Sequence, residues 1–149
     1  MLKYVLTLTA LAFFLAPAPT LAGTVPVEGE GDPSLYVVKV HADWCGSCTA
    51  LVPILEEVQA GVADQPVLFV QLDVTDSTLT SQARLLAAAL DVEDHFKANN
   101  QTGLVLLINA QDHTLLETVT KQNSAAEIVG KIETHLAAAQ PKQNGAAPE

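Results

Sequence analysis

The pentapeptide Trp44-Cys45-Gly46-Ser47-Cys48 says more about this chain than any other segment, because it contains both cysteines among the 149 residues. Two thiols at this spacing can close into a disulfide, reopen, and exchange with the disulfide of a partner. With no third cysteine, the chain has no separate structural disulfide to form. The pair is therefore predicted to be a redox centre.

Two other interpretations of the cysteine pair stay open. A CxxC motif also supplies half of a zinc site, which needs about four ligands in all. The chain's histidines show no paired spacing that would complete such a site, and they are His41, His95, His113 and His135. The remaining alternative is a chemically inert pair. No residue is assigned as a metal ligand at this stage.

The N-terminal residues 1–22 are predicted to be a secretory signal peptide. The basic start at Lys3 is followed by an apolar run from Tyr4 to Ala16, and Thr20-Leu21-Ala22 offers a small-x-small cleavage site. The apolar run falls short of the about 20 residues of a membrane anchor. We therefore expect export without stable membrane insertion, to the periplasm or as a secreted protein.

The mature chain is expected to contain one domain, at residues 34–139. A lead-in at 23–33 and a disordered tail at 140–149 flank it, because both segments are rich in glycine, proline and polar residues. After removal of Lys3 the chain carries 6 basic and 17 acidic side chains. Nucleic acid and anionic membrane surfaces are therefore poor partners.

The apolar pattern predicts the element order β-α-β-α-β-β-α, an α/β fold with a central mixed sheet covered by helices on both faces. Short apolar runs predict strands at 35–40, 67–74, 104–109 and 114–119. Apolar residues at helical spacing predict a first helix at 48–62. A second helix is predicted after the N-cap Asp76, and its inner face is formed by Leu79, Ala83, Leu86, Ala87 and Leu90. Another helix is predicted after the capping box Ser124-Ala125-Ala126-Glu127. A further helical segment is predicted at 92–98.

This order places the dithiol between the end of the first strand and the start of the first helix. Unpaired N–H groups and the helix dipole at that point stabilise a thiolate. Cys45, ahead of the helix, is predicted to be the more exposed sulfur and the nucleophile. Cys48, inside the first turn, is predicted to resolve the mixed disulfide. Gly46 and Ser47 are expected to keep the connection tight.

The stretch Ala42-Asp43-Trp44-Cys45-Gly46-Ser47-Cys48 resembles the active-site segment of the thioredoxin family. Pro53, five residues after Cys48, stands where the helix of that family carries a kinking proline, and Pro53 to Val58 continue the likeness. The resemblance extends from Leu35 to about Ala139 and implies a thioredoxin-like fold. A narrower likeness, carried by Leu72-Asp73-Val74-Thr75 among other segments, is to the exported thioredoxin-like domains that end membrane-bound disulfide reductases.

The resemblance implies an enzyme, a thiol–disulfide oxidoreductase that works through Cys45 and Cys48 without a cofactor. It implies a monomer whose partners are thiol- or disulfide-containing proteins and an upstream redox protein. The residues expected to support the active site are Trp44, Gly46, Ser47, Lys39, Pro53, Thr102 and Gly103. The alternatives are a metal-binding or metal-delivery module that uses the CxxC sulfurs, and a non-catalytic binding module of the same fold.

Three departures from the family pattern carry expectations of their own. The family places a cis proline over the disulfide where this chain has Thr102-Gly103, so the surface over the sulfurs is expected to be more open. Lys39 stands where the family buries an acidic residue, and Gln71 replaces that residue's lysine partner. Lys39 is expected either to lie at a sheet edge and reach water or to lower a thiolate pKa from nearby.

The third departure is an insert from Glu93 to Gln101, which is expected to lie beside the active site. His95, within it, is expected to be a solvated helix residue or a proton donor to the dithiol. His41 is expected to be structural.

Overall fold

The computed structural model describes residues 31–99 and 101–139. Its elements in chain order are β1 (Leu35–His41), α1 (Gly46–Gly61), β2 (Val67–Asp73), α2 (Ser77–Ala89), α3 (Glu93–Ala98), β3 (Leu104–Asn109), β4 (Leu115–Thr120) and α4 (Ala125–Ala139). The predicted signal peptide, most of the lead-in and the tail lie outside the described residues. No helix in the described part is long and apolar enough to cross a bilayer.

The four strands form one mixed sheet in the order β2-β1-β3-β4. β1 runs parallel to β2 and antiparallel to β3, and β3 pairs antiparallel with β4. In this register His41 lies opposite Asp73, so the carboxyl ends of β1 and β2 lie side by side. The predicted α/β class and mixed sheet are confirmed, and β1 is a central strand.

The alternation of side chains along the strands divides the core into two layers. Odd-numbered residues of β1, such as Leu35 and Val37, pack with apolar residues of α1 and α4. Even-numbered residues, such as Val38 and Val40, pack with residues of α2 and with Phe96 of α3. Helices therefore cover both faces of the sheet, as predicted.

Side-chain caps fix the beginnings of two helices. The Asp76 carboxylate accepts hydrogen bonds from the N–H groups of Thr78 and Leu79 at 2.8 and 2.9 Å, satisfying two donors at the start of α2. Ser124 and Glu127 exchange hydrogen bonds as a capping box before α4. Both predicted caps are confirmed.

The predicted inner face of α2 is wrong at Leu86, which is 40% exposed. Only Ala83 and Ala87 of this helix are buried, and Leu79 and Leu90 are half-buried. α2 thus contacts the sheet through a narrow stripe of small residues, and Leu86 lies beside this stripe.

The start of β4 falls at Leu115, one residue later than predicted. The Asp112 carboxylate accepts hydrogen bonds from the Thr114 N–H and hydroxyl, and His113 has φ 56°. These local bonds extend the hairpin turn through Thr114.

The predicted position of His95 beside the active site is also wrong. His95 Nε2 lies 2.6 Å from the His113 carbonyl oxygen, in the β3–β4 turn. That turn adjoins the Leu35 end of β1, whereas the cysteines follow its His41 end. The start of α3 is therefore anchored at the opposite end of the sheet, and the chain is again beside the cysteines at Gly103.

Candidate active site

Cys45 and Cys48 are joined by a disulfide at the N-terminus of α1, with their Cα atoms 5.2 Å apart. Cys45 is the N-cap residue, and its Sγ accepts the Cys48 N–H at 3.2 Å. Once the disulfide is reduced, the same N–H and the helix dipole stabilise a thiolate on Cys45. The predicted placement between strand and helix is confirmed.

The two sulfur-bearing residues differ in access to solvent. Cys45 is 8% exposed, and Cys48 is fully buried with Ala42 against Val74. Cys48 Sγ lies 3.7 Å from the Val40 carbonyl oxygen, which gives its thiol an acceptor in the reduced form. Cys45 is therefore the more exposed of the two cysteines, in agreement with the predicted order of exposure.

Gly103 packs its backbone directly against the dithiol turn. Its N–H donates to the Val40 carbonyl at 3.0 Å, and its φ is +83°. A Cβ at this position would lie 2.8 Å from Ser47 Cβ and 3.6 Å from Cys45 Sγ. Because a side chain would collide here, only glycine allows so close an approach of the loop.

The expected open surface over the sulfurs is therefore wrong. No cis peptide bond occurs in the described part of the chain, but Gly103 packs closely against Ser47 and Cys45, and both cysteines are buried. Thr102, just before it, is half-buried. The chain thus closes over its cysteines without a proline ring.

A hydrogen-bonded chain holds the turn before the cysteines. The Asp73 carboxylate accepts from the Thr75 N–H at 2.9 Å and from its hydroxyl at 2.6 Å. The Thr75 hydroxyl oxygen accepts the Asp43 N–H at 2.9 Å, and the Thr75 carbonyl accepts the Trp44 indole N–H at 3.2 Å. The end of β2 therefore positions Asp43 and Trp44, while the Trp44 side chain stays 67% exposed.

The Thr75 hydroxyl bond is the main cause that lowers the pKa of the Asp73 carboxyl below its ordinary value. Asp73 is therefore held as a carboxylate beside the active-site turn. In the sequence, Asp73 and Thr75 stand out only as part of a family likeness, and this role is not predicted. The signal available was an Asp-x-Thr sequence directly after a strand, a pattern that favours side-chain to backbone bonds.

Two other predicted support residues have different surroundings. Gly46 begins α1, and a Cβ added there meets nothing within 4 Å, so the expected steric need for glycine is absent. Pro53 lies inside α1, as expected, and is exposed. Since proline has no N–H, the helix lacks one backbone bond in the turn after Cys48.

Lys39 lies on the central strand opposite Gln71 and is 8% exposed, so the expected position at a sheet edge is wrong. Its side chain lines a 260 Å³ groove between α1 and β2, together with apolar residues such as Val52. Val52 lies one helical turn beyond Cys48. Burial lowers the pKa of the Lys39 ammonium, and the Asp73 carboxylate partly opposes that shift.

Residues 30–88 match the family model described as Thioredoxin, a stretch that contains β1, α1, β2 and nearly all of α2. No curated protein matches the chain. Similar solved structures include thioredoxin-2 of the malaria parasite, with 17% identity, 68% of this chain and 84% of that chain covered, and a TM-score of 0.47.

Two further similar structures come from a plant and a bacterium. Thioredoxin NaTrxh of Nicotiana alata has 26% identity, with 68% of this chain and 73% of that chain covered, and a TM-score of 0.45. StoA of Bacillus subtilis has 10% identity, with coverages of 68% and 84% and the same TM-score. At these scores the structural matches carry no argument about activity.

We predict that Gly103→Ala lowers the free energy of unfolding of the oxidised protein by about 1–3 kcal/mol, because alanine is strained at positive φ. The contact with Ser47 adds to that strain. Gly46→Ala is the matched control, since it adds the same methyl group in open space and is expected to change stability by less than about 1 kcal/mol. Urea unfolding measures both. Equal effects of the two variants would show that the approach of Gly103 to the turn is not tight.

We predict that Lys39→Met raises the free energy of unfolding at neutral pH, because it removes a buried charge at similar side-chain volume. Burial lowers the pKa of Lys39 in the folded chain, so the unfolded chain binds this proton more tightly. Wild-type stability therefore rises as the pH climbs from the folded-state pKa toward the ordinary value of 10.5. The advantage of the variant should shrink over that window.

Urea unfolding at neutral and alkaline pH tests this expectation, with the 58% exposed Lys97 replaced by Met as the control. A difference in free energy of unfolding between Lys39→Met and wild type that does not change with pH would contradict it.

The same variant tests whether the Lys39 ammonium stabilises the Cys45 thiolate. If it does, the reduction potential of Lys39→Met falls, by about 30 mV for each tenfold change in the exchange equilibrium.

Proposed function

We propose that this chain, a thioredoxin-fold thiol–disulfide oxidoreductase, works after export and exchanges disulfides with partner proteins through Cys45. The family match over residues 30–88 and the CxxC pair support the activity. The single observation that carries the proposed roles is the difference between the two sulfurs. Cys45 caps the helix and retains some exposure, whereas Cys48 is fully buried.

In the reducing direction, the Cys45 thiolate attacks one sulfur of a partner disulfide. A bond forms between Cys45 Sγ and that sulfur, and the other partner sulfur leaves as a thiolate that takes up a proton. Cys48 then loses its proton and attacks Cys45 Sγ. The Cys45–Cys48 disulfide forms, the second partner sulfur leaves, and two electrons have passed to the partner.

In the oxidising direction the same steps run backward from the disulfide form. A partner thiolate attacks Cys45 Sγ, because Cys48 has no exposed surface. The protein returns to its starting state by exchange with an upstream redox protein, which supplies or removes the electron pair. The chemistry requires no cofactor, since both half-reactions exchange sulfur–sulfur bonds.

The surroundings of Cys45 suit a protein partner. The exposed indole of Trp44 stands beside it, held by its hydrogen bond to Thr75. An aromatic side chain with a fixed orientation supplies contact area at small entropic cost. We propose that partners dock on this indole and on the Gly103 loop, with their disulfide directed at Cys45 Sγ.

We predict that Cys48→Ser accumulates mixed disulfides between Cys45 and partner proteins, because the resolving sulfur is gone. Cys45→Ser should accumulate none, since its remaining sulfur is buried. Non-reducing electrophoresis of protein from the native host, with mass spectrometry of the adducts, measures both, and the double variant is the control. Adducts formed by Cys45→Ser and not by Cys48→Ser would reverse the assigned roles.

Export is proposed from the N-terminal sequence alone, where a basic start, an apolar run and Thr20-Leu21-Ala22 precede Gly23. Partner disulfides persist in an oxidising compartment, so substrates for disulfide exchange are present there.

We predict that the protein from the native host begins at Gly23. N-terminal sequencing of the soluble extracytoplasmic fraction measures this, and an intact Met1 on a soluble intracellular species would contradict export.

A further inference from the structure

Three side chains that bind metal ions meet at the ends of β1 and β2, beside the active-site turn. His41 Nε2 lies 3.2 Å from Asp43 Oδ1 and 4.0 Å from Asp73 Oδ2. All three ligand atoms lie within 4.8 Å of one another. The parallel pairing of His41 with Asp73 and the tight turn to Asp43 bring them together.

These separations suit one shared cation. Nitrogen and oxygen ligands at about 2.0–2.2 Å from a tetrahedral zinc ion are about 3.3–3.6 Å apart. The distances of 3.2 and 4.0 Å lie on either side of that range. The exposed Asp43 carboxylate can rotate toward an ion that His41 also binds.

The charges around the set also favour a cation. Among the described residues, neither Asp43 nor Asp73 has a lysine or arginine nitrogen within 4.0 Å. Thr75 donates two hydrogen bonds to Asp73 Oδ1 and so orients this carboxylate. The other oxygen, Oδ2, faces His41. Such outer contacts orient metal ligands in proteins.

Two features limit the affinity. The buried ammonium of Lys39 acts on Asp73 through space and opposes a second positive charge. His41 Nδ1 is buried and has no hydrogen-bond partner in the described part of the chain, so its proton lacks an acceptor when Nε2 binds metal. The site should therefore bind more weakly than a four-ligand structural zinc site.

We propose that His41, Asp43 and Asp73 bind a divalent transition-metal ion, with Zn²⁺ preferred over Mg²⁺ because the set contains an imidazole. Solvent completes the coordination, as in other three-ligand sites. The ion links the ends of two strands to the turn that carries Trp44 and Cys45. It uses neither cysteine sulfur, so the proposal is independent of disulfide exchange.

The experiment uses the oxidised mature protein without a histidine tag, in which both sulfurs are held in the disulfide. Titration with Zn²⁺ by calorimetry should show one ion per chain, and Co²⁺ should give a visible absorption spectrum on binding. Asp43→Asn is the first variant, because its side chain is 77% exposed and its loss threatens folding least. We expect its affinity for Zn²⁺ to fall at least about tenfold.

Asp91→Asn is the matched control. Its carboxylate is 87% exposed and lies 3.2 Å from His113 Nδ1, so it forms a similar pair without a third ligand. Its affinity for Zn²⁺ should equal that of the wild type. Asp73→Asn, checked for native circular dichroism, should weaken binding as Asp43→Asn does.

Three results would overturn the site. The oxidised protein takes up no Zn²⁺, or Asp43→Asn binds it as tightly as the wild type, or uptake begins only after reduction. The last result would assign the metal to Cys45 and Cys48. Loss of disulfide exchange with Zn²⁺ binding intact would refute the proposed function and leave this site standing.

Discussion

The carbonyl group of Val40 is the constraint on which the active site depends. Its oxygen accepts the Gly103 N–H at 3.0 Å and lies 3.7 Å from Cys48 Sγ. One acceptor at the end of β1 thus joins the first strand, the first helix and the loop before β3. A buried carbonyl has two lone pairs and needs partners, so this junction is costly to disturb. The remaining geometry follows from it, because Gly103 can sit there only against Ser47 and Cys45.

The two cysteines at this junction differ in exposure to solvent. Cys48 is fully buried with Ala42 against Val74, and of the two cysteines only Cys45, at the helix N-cap, keeps any exposure. The second anchor is the bond network from Asp73 through Thr75, which orients the turn that carries Asp43 and Trp44. The parallel strands β1 and β2 end at the same edge of the sheet, so the residues that follow both of them contribute to one site.

The sequence was sufficient for the elements and for the position of the dithiol. The βαβ pattern around Cys45 and Cys48, the Asp76 cap and the capping box at Ser124 are local signals, and each is confirmed. The errors concern distances between segments. The distance between Gly103 and the Cys45–Cys48 turn depends on how the loop before β3 packs against α1. No local sequence pattern contains that information.

The same limit explains two further errors. His95 is bonded to a turn 18 residues later, which only the packing of α3 could reveal. Leu86 was assigned to the core by its spacing, but the small side chains of Ala83 and Ala87 set how α2 rests on the sheet. A helical period identifies a face, whereas neighbouring side chains determine its width.

Lys39 places a basic side chain on the central strand of the sheet, on the face that α1 covers. A side chain at this position of β1 must point toward α1, because the strand is central and its neighbours alternate between faces. A carboxylate there would repel a thiolate at the start of α1, whereas an ammonium attracts it. Asp73, near the end of the adjacent strand, opposes that attraction and stays ionised through its bonds to Thr75. The Cys48 N–H lies within hydrogen-bond distance of Cys45 Sγ, so the start of α1 supplies the direct stabilisation of its thiolate.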